Sequence, residues 1–235
     1  MERIRIRVWD LPIRIFHWSL VALIIAAILT GKTGSNAMSW HGKIGLAILG
    51  LIAFRVVWGF AGSQHARFKS FLPTPASILA YLKGNWHGIG HNPLGALSVV
   101  AMLTMIGLQV ATGLLANDDI AFKAPLFSLV DKETSDSITG AHTTLVNALI
   151  ALIALHLGAI LFHAVVKKDN LVKAMITGRK EIDITDAPII PPASNTVGAL
   201  LLALVIAGFT VYAGSGAWLP TLMPRPLQTH PTPSW

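Results

Sequence analysis

Residues 139–166 read TGAHTTLVNALIALIALHLGAILFHAVV, and the rest of the chain is organised around this apolar stretch. His142 stands near its start, and His156 follows fourteen residues later. At about 100° per residue, fourteen helical steps end only about 40° short of four whole turns, so the two imidazoles share one face. Their separation of ~21 Å along the axis fits inside the ~30 Å hydrocarbon core of a bilayer. The pattern predicts a membrane-spanning helix with one histidine near each edge of the bilayer.

Two further histidines, His17 and His41, lie near the starts of two other apolar stretches. A histidine inside a membrane span is costly and usually functional, and imidazole is a standard axial ligand of haem iron. We therefore predict four axial ligands for two haems stacked across a membrane. Two imidazoles on one iron leave no open position for a substrate, which favours electron transfer over oxygen activation.

The composition supports a membrane protein and excludes several other classes. Of 235 residues, 53% are hydrophobic and 12% charged, about half the charged share of a soluble domain. The net charge of +7 does not indicate nucleic-acid binding, because the basic residues lie beside apolar segments. The absence of cysteine excludes disulfides, iron–sulfur clusters with cysteine ligands and covalently attached haem.

The hydropathy pattern predicts an all-α membrane protein, a four-helix transmembrane bundle with a fifth C-terminal helix. The predicted spans are 16–29, 40–59, 92–115, 139–166 and 196–213. A short helix over 76–82 is expected to lie on the membrane surface. The predicted divisions are a four-helix domain over 1–180, a cytoplasmic linker over 181–194, the fifth helix within 195–216 and a proline-rich tail over 217–235.

The first apolar stretch has a second interpretation, that of a secretory signal peptide cleaved near Ser35-Asn36-Ala37. Cleavage there would remove His17. Because the rest of the chain is membrane-embedded by composition, we predict that the first span is retained.

Lysine and arginine are concentrated at the N-terminus and in the segments after the second and fourth spans. The positive-inside rule then puts the N-terminus in the cytoplasm and the tail outside. By depth, His17 pairs with His156 near the cytoplasmic face, and His41 pairs with His142 near the outer face.

His163 is the alternative to His156, because it lies seven residues further along nearly the same face. Its use would widen the separation from His142 to ~31 Å and put the iron at the membrane edge. We keep His156 as the ligand. His163 is left to bind a haem propionate or a quinone headgroup, or to reach the membrane surface.

Cationic side chains near the membrane surface are candidates for binding the haem propionates. Arg14 and Arg55 are placed for the cytoplasmic-side haem, and Lys43 is either a partner of the outer haem or simply solvated. His87 and His91 have metal-like spacing, but the glycines between them make a helix doubtful, and we interpret both as ordinary loop histidines.

Several motifs resemble those of the bacterial cytochrome b561 group and of the b-type cytochrome subunit of nickel–iron hydrogenases. They are Val8-Trp9-Asp10-Leu11-Pro12-Ile13-Arg14-Ile15-Phe16-His17-Trp18, Trp40-His41-Gly42-Lys43-Ile44-Gly45, Arg55-Val56-Val57-Trp58-Gly59, Asn92-Pro93-Leu94-Gly95-Ala96, Thr112-Gly113-Leu114, His142, His156 and Lys167-Lys168-Asp169-Asn170-Leu171. Together they cover roughly residues 8–180. The resemblance implies a four-helix bundle around two b haems, with the ligand pattern on His17, His41, His142 and His156. It also implies electron exchange between membrane quinone and a partner protein.

Three functions remain open at this point. The leading one is electron transfer between the quinone pool and a periplasmic redox protein, such as a c-type cytochrome or a hydrogenase-like protein. The second is a stand-alone oxidoreductase for superoxide and quinone, and the third is a haem-free transporter or scaffold. We expect the quinone site on the cytoplasmic side, near His17, Arg55 and His163. The sequence also leaves a homodimer open.

Overall fold

Long apolar helices dominate the fold of the computed structural model, which describes residues 3–86, 88, 90–183 and 196–219. In chain order the elements are β1 (Arg3–Arg7), α1 (Leu11–Thr33), α2 (Met38–Ala61), α3 (Phe68–Phe71), α4 (Pro75–Leu82), α5 (Pro93–Gly113), α6 (Lys132–Val165), α7 (Leu171–Thr177), β2 (Arg179–Asp183) and α8 (Thr196–Gly214). Among the described residues, α1, α2, α5, α6 and α8 are long and apolar enough to cross a membrane. The predicted all-α membrane fold with a fifth helix is confirmed.

Side-chain caps explain where three of the spanning helices begin. Asp10 accepts a hydrogen bond from the backbone N–H of Ile13 at 2.7 Å, which starts α1. Asn92 caps α5 in the same way at 2.7 Å, and Asp131 caps α6 at 2.8 Å. Each cap satisfies an N–H group that has no partner within its own helix.

Helix α2 is the centre of the arrangement, because it contacts α1, α5 and α8, while α6 contacts α5. Close approach of α8 depends on two glycines. A Cβ at Gly50 would lie 2.8 Å from Cγ2 of Val211, and one at Gly214 would lie 2.5 Å from Cδ2 of Leu49. Small residues at a helix interface allow the two backbones to come close.

The outer faces of α6 and α8 carry large exposed apolar side chains, such as Leu155 and Phe209, each 69% exposed. In water such surfaces would drive association. In a bilayer they face the acyl chains, so these faces fit the lipid contact that a spanning helix requires.

The structure differs from the sequence-based boundaries at the start of α6. The fourth span was expected to begin at residue 139, yet α6 begins at Lys132, and in its polar first turns Lys132 bridges Asp136 at 2.7 Å. Strand β2 runs to Asp183, within the segment predicted as a linker from residue 181, and pairs antiparallel with β1. The expected short helix is present as α4, Pro75–Leu82, and its position on the membrane surface stays a prediction.

Parts of the predicted linker and tail, residues 184–195 and 220–235, lie outside the described residues. The β1–β2 pair, which the sequence analysis did not predict, ties the N-terminus to the segment after α7.

Asp10 joins the start of α1 to the end of α2. Besides capping α1, its carboxylate accepts a hydrogen bond from Nε1 of Trp58 at 3.0 Å and another from the hydroxyl of Ser63. Trp58 is only 1% exposed, so its indole N–H depends on this acceptor.

We expect Asp10→Ala to lower the free energy of unfolding by about 2–4 kcal/mol, since it removes a helix cap and leaves a buried indole N–H unsatisfied. Thermal unfolding of detergent-solubilised protein measures the change. Asp131→Ala is the matched control, because Asp131 caps α6 and, within the described part of the chain, its side chain bonds only to Thr134. Equal losses in the two variants would contradict the joining role of Asp10.

Candidate functional site

The rings of His41, from α2, and His142, from α6, face each other across the bundle. Their centroids are 6.1 Å apart, and their planes are perpendicular, at 90°. The sequence analysis paired these two residues by depth, and they lie side by side in the fold. Both rings are half-buried.

The hydrogen bonds of these two rings determine which nitrogen of each imidazole keeps a lone pair that could bind a metal. Nδ1 of His41 lies 2.9 Å from the carbonyl oxygen of Ala27, and Nδ1 of His142 lies 2.9 Å from that of Gln109. A carbonyl oxygen can only accept, so both Nδ1 atoms carry the proton. Each Nε2 therefore keeps its lone pair, the form that binds a metal.

Gln109 is a polar side chain in the last turns of α5, and the sequence analysis did not single it out. Its amide nitrogen lies 3.1 Å from Nε2 of His142 and donates to that lone pair. Its amide oxygen is buried without a partner among the described residues. A glutamine in an otherwise apolar stretch is the signal that would have identified it.

The donor set fits a haem iron better than a bare metal ion. Within the described ranges no group of three or more histidine, aspartate or glutamate side chains could hold a metal ion, whereas a structural zinc site needs four protein ligands. A porphyrin supplies four nitrogens and needs only axial ligands. Two metal–nitrogen bonds of about 2 Å, with the ring radii added, give roughly 6 Å between ring centres, close to the observed 6.1 Å.

The second histidine pair lies toward the other end of the bundle. His17, from α1, and His156, from α6, lie within electrostatic range of each other. Nδ1 of His17 is buried and, among the described residues, has no hydrogen-bond partner. A cavity of about 70 Å³ lies beside His17; its lining includes Trp9, Phe16, Arg55, His65, His91 and Val99.

His91 belongs to this second group, contrary to its interpretation as an ordinary loop histidine. Its ring lies between Trp9 and Phe71, at centroid distances of 4.5 and 4.9 Å. Burial, assisted by the nearby charge of Arg55, lowers the pKa of His91 to about 4, so the ring is neutral at physiological pH. Its buried Nδ1 has no partner within the described part of the chain. His87 lies outside the described residues.

Arg55 is 4% exposed and lies in the same pocket. Its guanidinium stacks over the ring of Phe68 at 4.7 Å, and one terminal nitrogen has no hydrogen-bond partner among the described residues. A buried guanidinium with a free N–H is suited to an anionic ligand.

The other two predicted cationic residues make different contacts. Arg14 donates a hydrogen bond to the carbonyl of Ile176, near the end of α7. The ammonium of Lys43 lies over the ring of Trp40, 4.8 Å from its centroid. Their predicted roles toward haem propionates remain predictions.

His163 lies in a separate polar group from Arg55. Its Nε2 is 3.3 Å from the amide nitrogen of Asn92 and 3.5 Å from the hydroxyl of Tyr81, and its buried Nδ1 lacks a partner among the described residues. The two groups adjoin, since His91 and Asn92 are consecutive.

Comparison with known proteins places this geometry in a family context. Residues 8–178 match the sequence model of the family described as prokaryotic cytochrome b561. A protein of Bradyrhizobium diazoefficiens described as a probable Ni/Fe-hydrogenase B-type cytochrome subunit is 20% identical over 212 residues, which cover 74% of this chain and 85% of the relative. No solved structure matches the chain.

The packing of His91 yields a stability prediction. His91→Phe preserves the ring between Trp9 and Phe71 and should change the free energy of unfolding by less than about 1.5 kcal/mol, whereas His91→Ala leaves a cavity and should cost about 2–4 kcal/mol. Thermal unfolding in detergent measures both. Equal destabilisation by the two variants would show that the nitrogens of His91 have partners that stabilise the fold.

Proposed function

Because the chain belongs to the prokaryotic cytochrome b561 family, we propose that it transfers electrons through two haem b groups, each held by two histidines. Transmembrane electron transfer by a b-type membrane cytochrome follows from the family itself. The number of haems, their ligands and the reaction partners are the parts that we propose. Among the three functions considered above, family membership favours the first.

The observation that carries the proposal is the facing pair His41 and His142, with centroids 6.1 Å apart and both Nδ1 protons donated to carbonyls. We assign these two residues to the iron of one haem, and His17 with His156 to the iron of the other. When bound, each haem supplies one-electron redox chemistry at its iron. Because His142 and His156 both belong to α6, fourteen residues apart, the two irons would lie at different depths.

The pocket around His17 fits the carboxylates of the second haem. Arg55 and His91 line this pocket, and each has a buried nitrogen without a hydrogen-bond partner among the described residues. Burying such groups is costly unless a ligand completes their hydrogen bonds. We assign both to propionate binding. Arg14, held by the carbonyl of Ile176, is the weaker candidate.

We propose that the His17–His156 end faces the cytoplasm of a bacterial inner membrane, with the C-terminal tail in the periplasm. Pairing of β1 with β2 gathers Arg5, Arg7, Arg179 and Lys180 at this end. Basic residues that flank spans favour the cytoplasmic side.

The quinone site that we propose is the group His163, Tyr81 and Asn92, near the cytoplasmic end of α6. These side chains offer a hydroxyl, an amide and an imidazole, which match the carbonyl oxygens of a quinone and the hydroxyls of a quinol. His163 has one nitrogen free among the described residues, so it can exchange a proton with the quinol.

At the opposite end we propose exchange of electrons with a periplasmic redox protein. The description of the Bradyrhizobium relative as a hydrogenase subunit supports a redox partner in a membrane complex. A c-type cytochrome is an equally suitable partner, because it also carries single electrons.

The ligand assignment predicts a haem count. The purified protein should contain two haems per chain, and His156→Ala should retain only one, measured by the pyridine haemochrome spectrum against protein concentration. His163→Ala is the matched control and should retain both. The reverse result, loss with His163→Ala alone, would make His163 the ligand.

The quinone assignment predicts a separate kinetic defect. His163→Ala should lower kcat/KM for quinol oxidation about tenfold or more, since the buried quinol hydroxyl would lose its hydrogen-bond partner, at a cost of roughly 1–3 kcal/mol, and its proton acceptor. Tyr81→Phe should show a smaller loss, and Tyr212→Phe, on the exposed face of α8, none. Unchanged kinetics in His163→Ala would remove this group from the quinone site.

A further inference from the structure

Helices α1 and α5 contain the same small arrangement of residues, each beside one of the two facing histidines. In each helix a residue whose carbonyl accepts from the imidazole is followed by a threonine three positions later and a glycine four positions later. The residues are Ala27, Thr30 and Gly31 in α1, and Gln109, Thr112 and Gly113 in α5. The sequence analysis had noted Thr112 and Gly113 only within a family motif.

In α1, the arrangement holds the ring of His41. Its Nδ1 donates to the carbonyl of Ala27 at 2.9 Å, and the hydroxyl oxygen of Thr30 lies 3.5 Å from the same nitrogen. That hydroxyl donates to the carbonyl of Ala26 at 2.7 Å, so its oxygen lone pairs face outward. The imidazole N–H thus meets two acceptors on one helix.

In α5, the same two contacts occur around His142. Its Nδ1 donates to the carbonyl of Gln109 at 2.9 Å, and the hydroxyl oxygen of Thr112 lies at 3.1 Å. The hydroxyl itself donates to the carbonyl of Leu108 at 2.8 Å. Thr30 precedes His41 by eleven residues, whereas Thr112 precedes His142 by thirty. The similar contacts therefore do not result from a connecting segment of the same length.

Glycine is required at both positions because any side chain would collide with the histidine ring. A Cβ at Gly31 would lie 3.0 Å from Cε1 of His41, and one at Gly113 would lie 2.9 Å from Cε1 of His142. Both distances are shorter than ordinary contact between carbon atoms. A helix carbonyl is already bonded to the N–H four residues later, so an imidazole reaches its second lone pair only where that later residue has no side chain in the way.

We propose that Thr30-Gly31 and Thr112-Gly113 are two copies of one positioning device, here termed the Thr-Gly clasp, which orients and strengthens the two ligands of one haem. The proposal rests on the haem ligation proposed above. Each clasp fixes the tautomer of its histidine and the rotation of its ring, and together they hold the two ring planes at 90°. An N–H donated to a carbonyl also makes the opposite nitrogen a stronger donor.

The clasps should affect only the haem between His41 and His142. Nδ1 of His17 has no hydrogen-bond partner among the described residues, so the other haem lacks this support at that ligand. Weakening a clasp should therefore raise the reduction potential of one haem, since a weaker donor stabilises ferric iron less, and leave the potential of the other unchanged.

Purified full-length protein that contains both haems allows the test. Gly31→Ala and Gly113→Ala place a methyl group against the rings of His41 and His142 and should displace them. Thr30→Val and Thr112→Val remove a hydroxyl with almost no change in side-chain volume. Gly208→Ala, in α8 with open space around it, is the matched control. Potentiometric titration measures the two potentials, and the ferric electron paramagnetic resonance spectrum reports the angle between the ring planes of each low-spin haem.

In every clasp variant we expect one potential to rise and one ferric signal to shift, both belonging to the haem that His142→Ala loses. Thr30→Ser and Thr112→Ser should restore the original values, because serine keeps the hydroxyl. If a glycine variant does not fold, the potentials and ferric spectra of the threonine variants provide the test. Two bound haems with unchanged potentials and spectra, or with both haems affected equally, would overturn the clasp. A wild-type protein that binds fewer than two haems would instead overturn the ligation on which it rests.

Discussion

Inside a bilayer no water accepts the proton of an imidazole N–H, so the acceptor must come from the protein. For His41 and His142 it is a backbone carbonyl of the neighbouring helix, at 2.9 Å in both cases. This constraint uses Nδ1 and leaves Nε2 available for the proposed haem iron. It also joins α2 to α1 and α6 to α5, two of the helix pairs that are in contact in the fold. The same two hydrogen bonds therefore contribute both to helix contact and to the orientation of the proposed ligands.

The sequence predicts the spans and the shared face of His142 and His156 because both follow from helical periodicity, which is local. It also identifies His41, whose position at a helix start is visible in the hydropathy pattern. It does not reveal the burial of His91, since the glycines before it predict a loop, and a loop residue is ordinarily exposed. The burial comes from Trp9 and Phe71, which are distant in sequence. A hydropathy window likewise cannot distinguish the first polar turns of α6 from a loop, because their helical state depends on the Asp131 cap.

The fifth helix packs on α2 through Gly50 and Gly214. Residues of α2 that carry the candidate chemistry, His41 and Arg55, lie near its two ends and bond or stack with other elements. Contact with α8 therefore covers a structural face of α2. This explains how the chain can carry an additional span beyond the four-helix bundle that the family resemblance implied without disturbing the histidine pairs.

The two histidine pairs are built in physically different ways. His41 and His142 are held by helix backbones, whose carbonyls cannot move without breaking the helices themselves. The surroundings of His17 come largely from side chains, including His91 and Arg55, and several of these lie on segments that connect helices. Connecting segments open more readily than packed helices. A diffusible substrate such as the proposed quinone needs an approach route and groups that exchange protons, and the connecting segments and imidazoles at the second end favour that end for it. A partner protein that exchanges electrons alone requires neither, so a rigid end suffices for it.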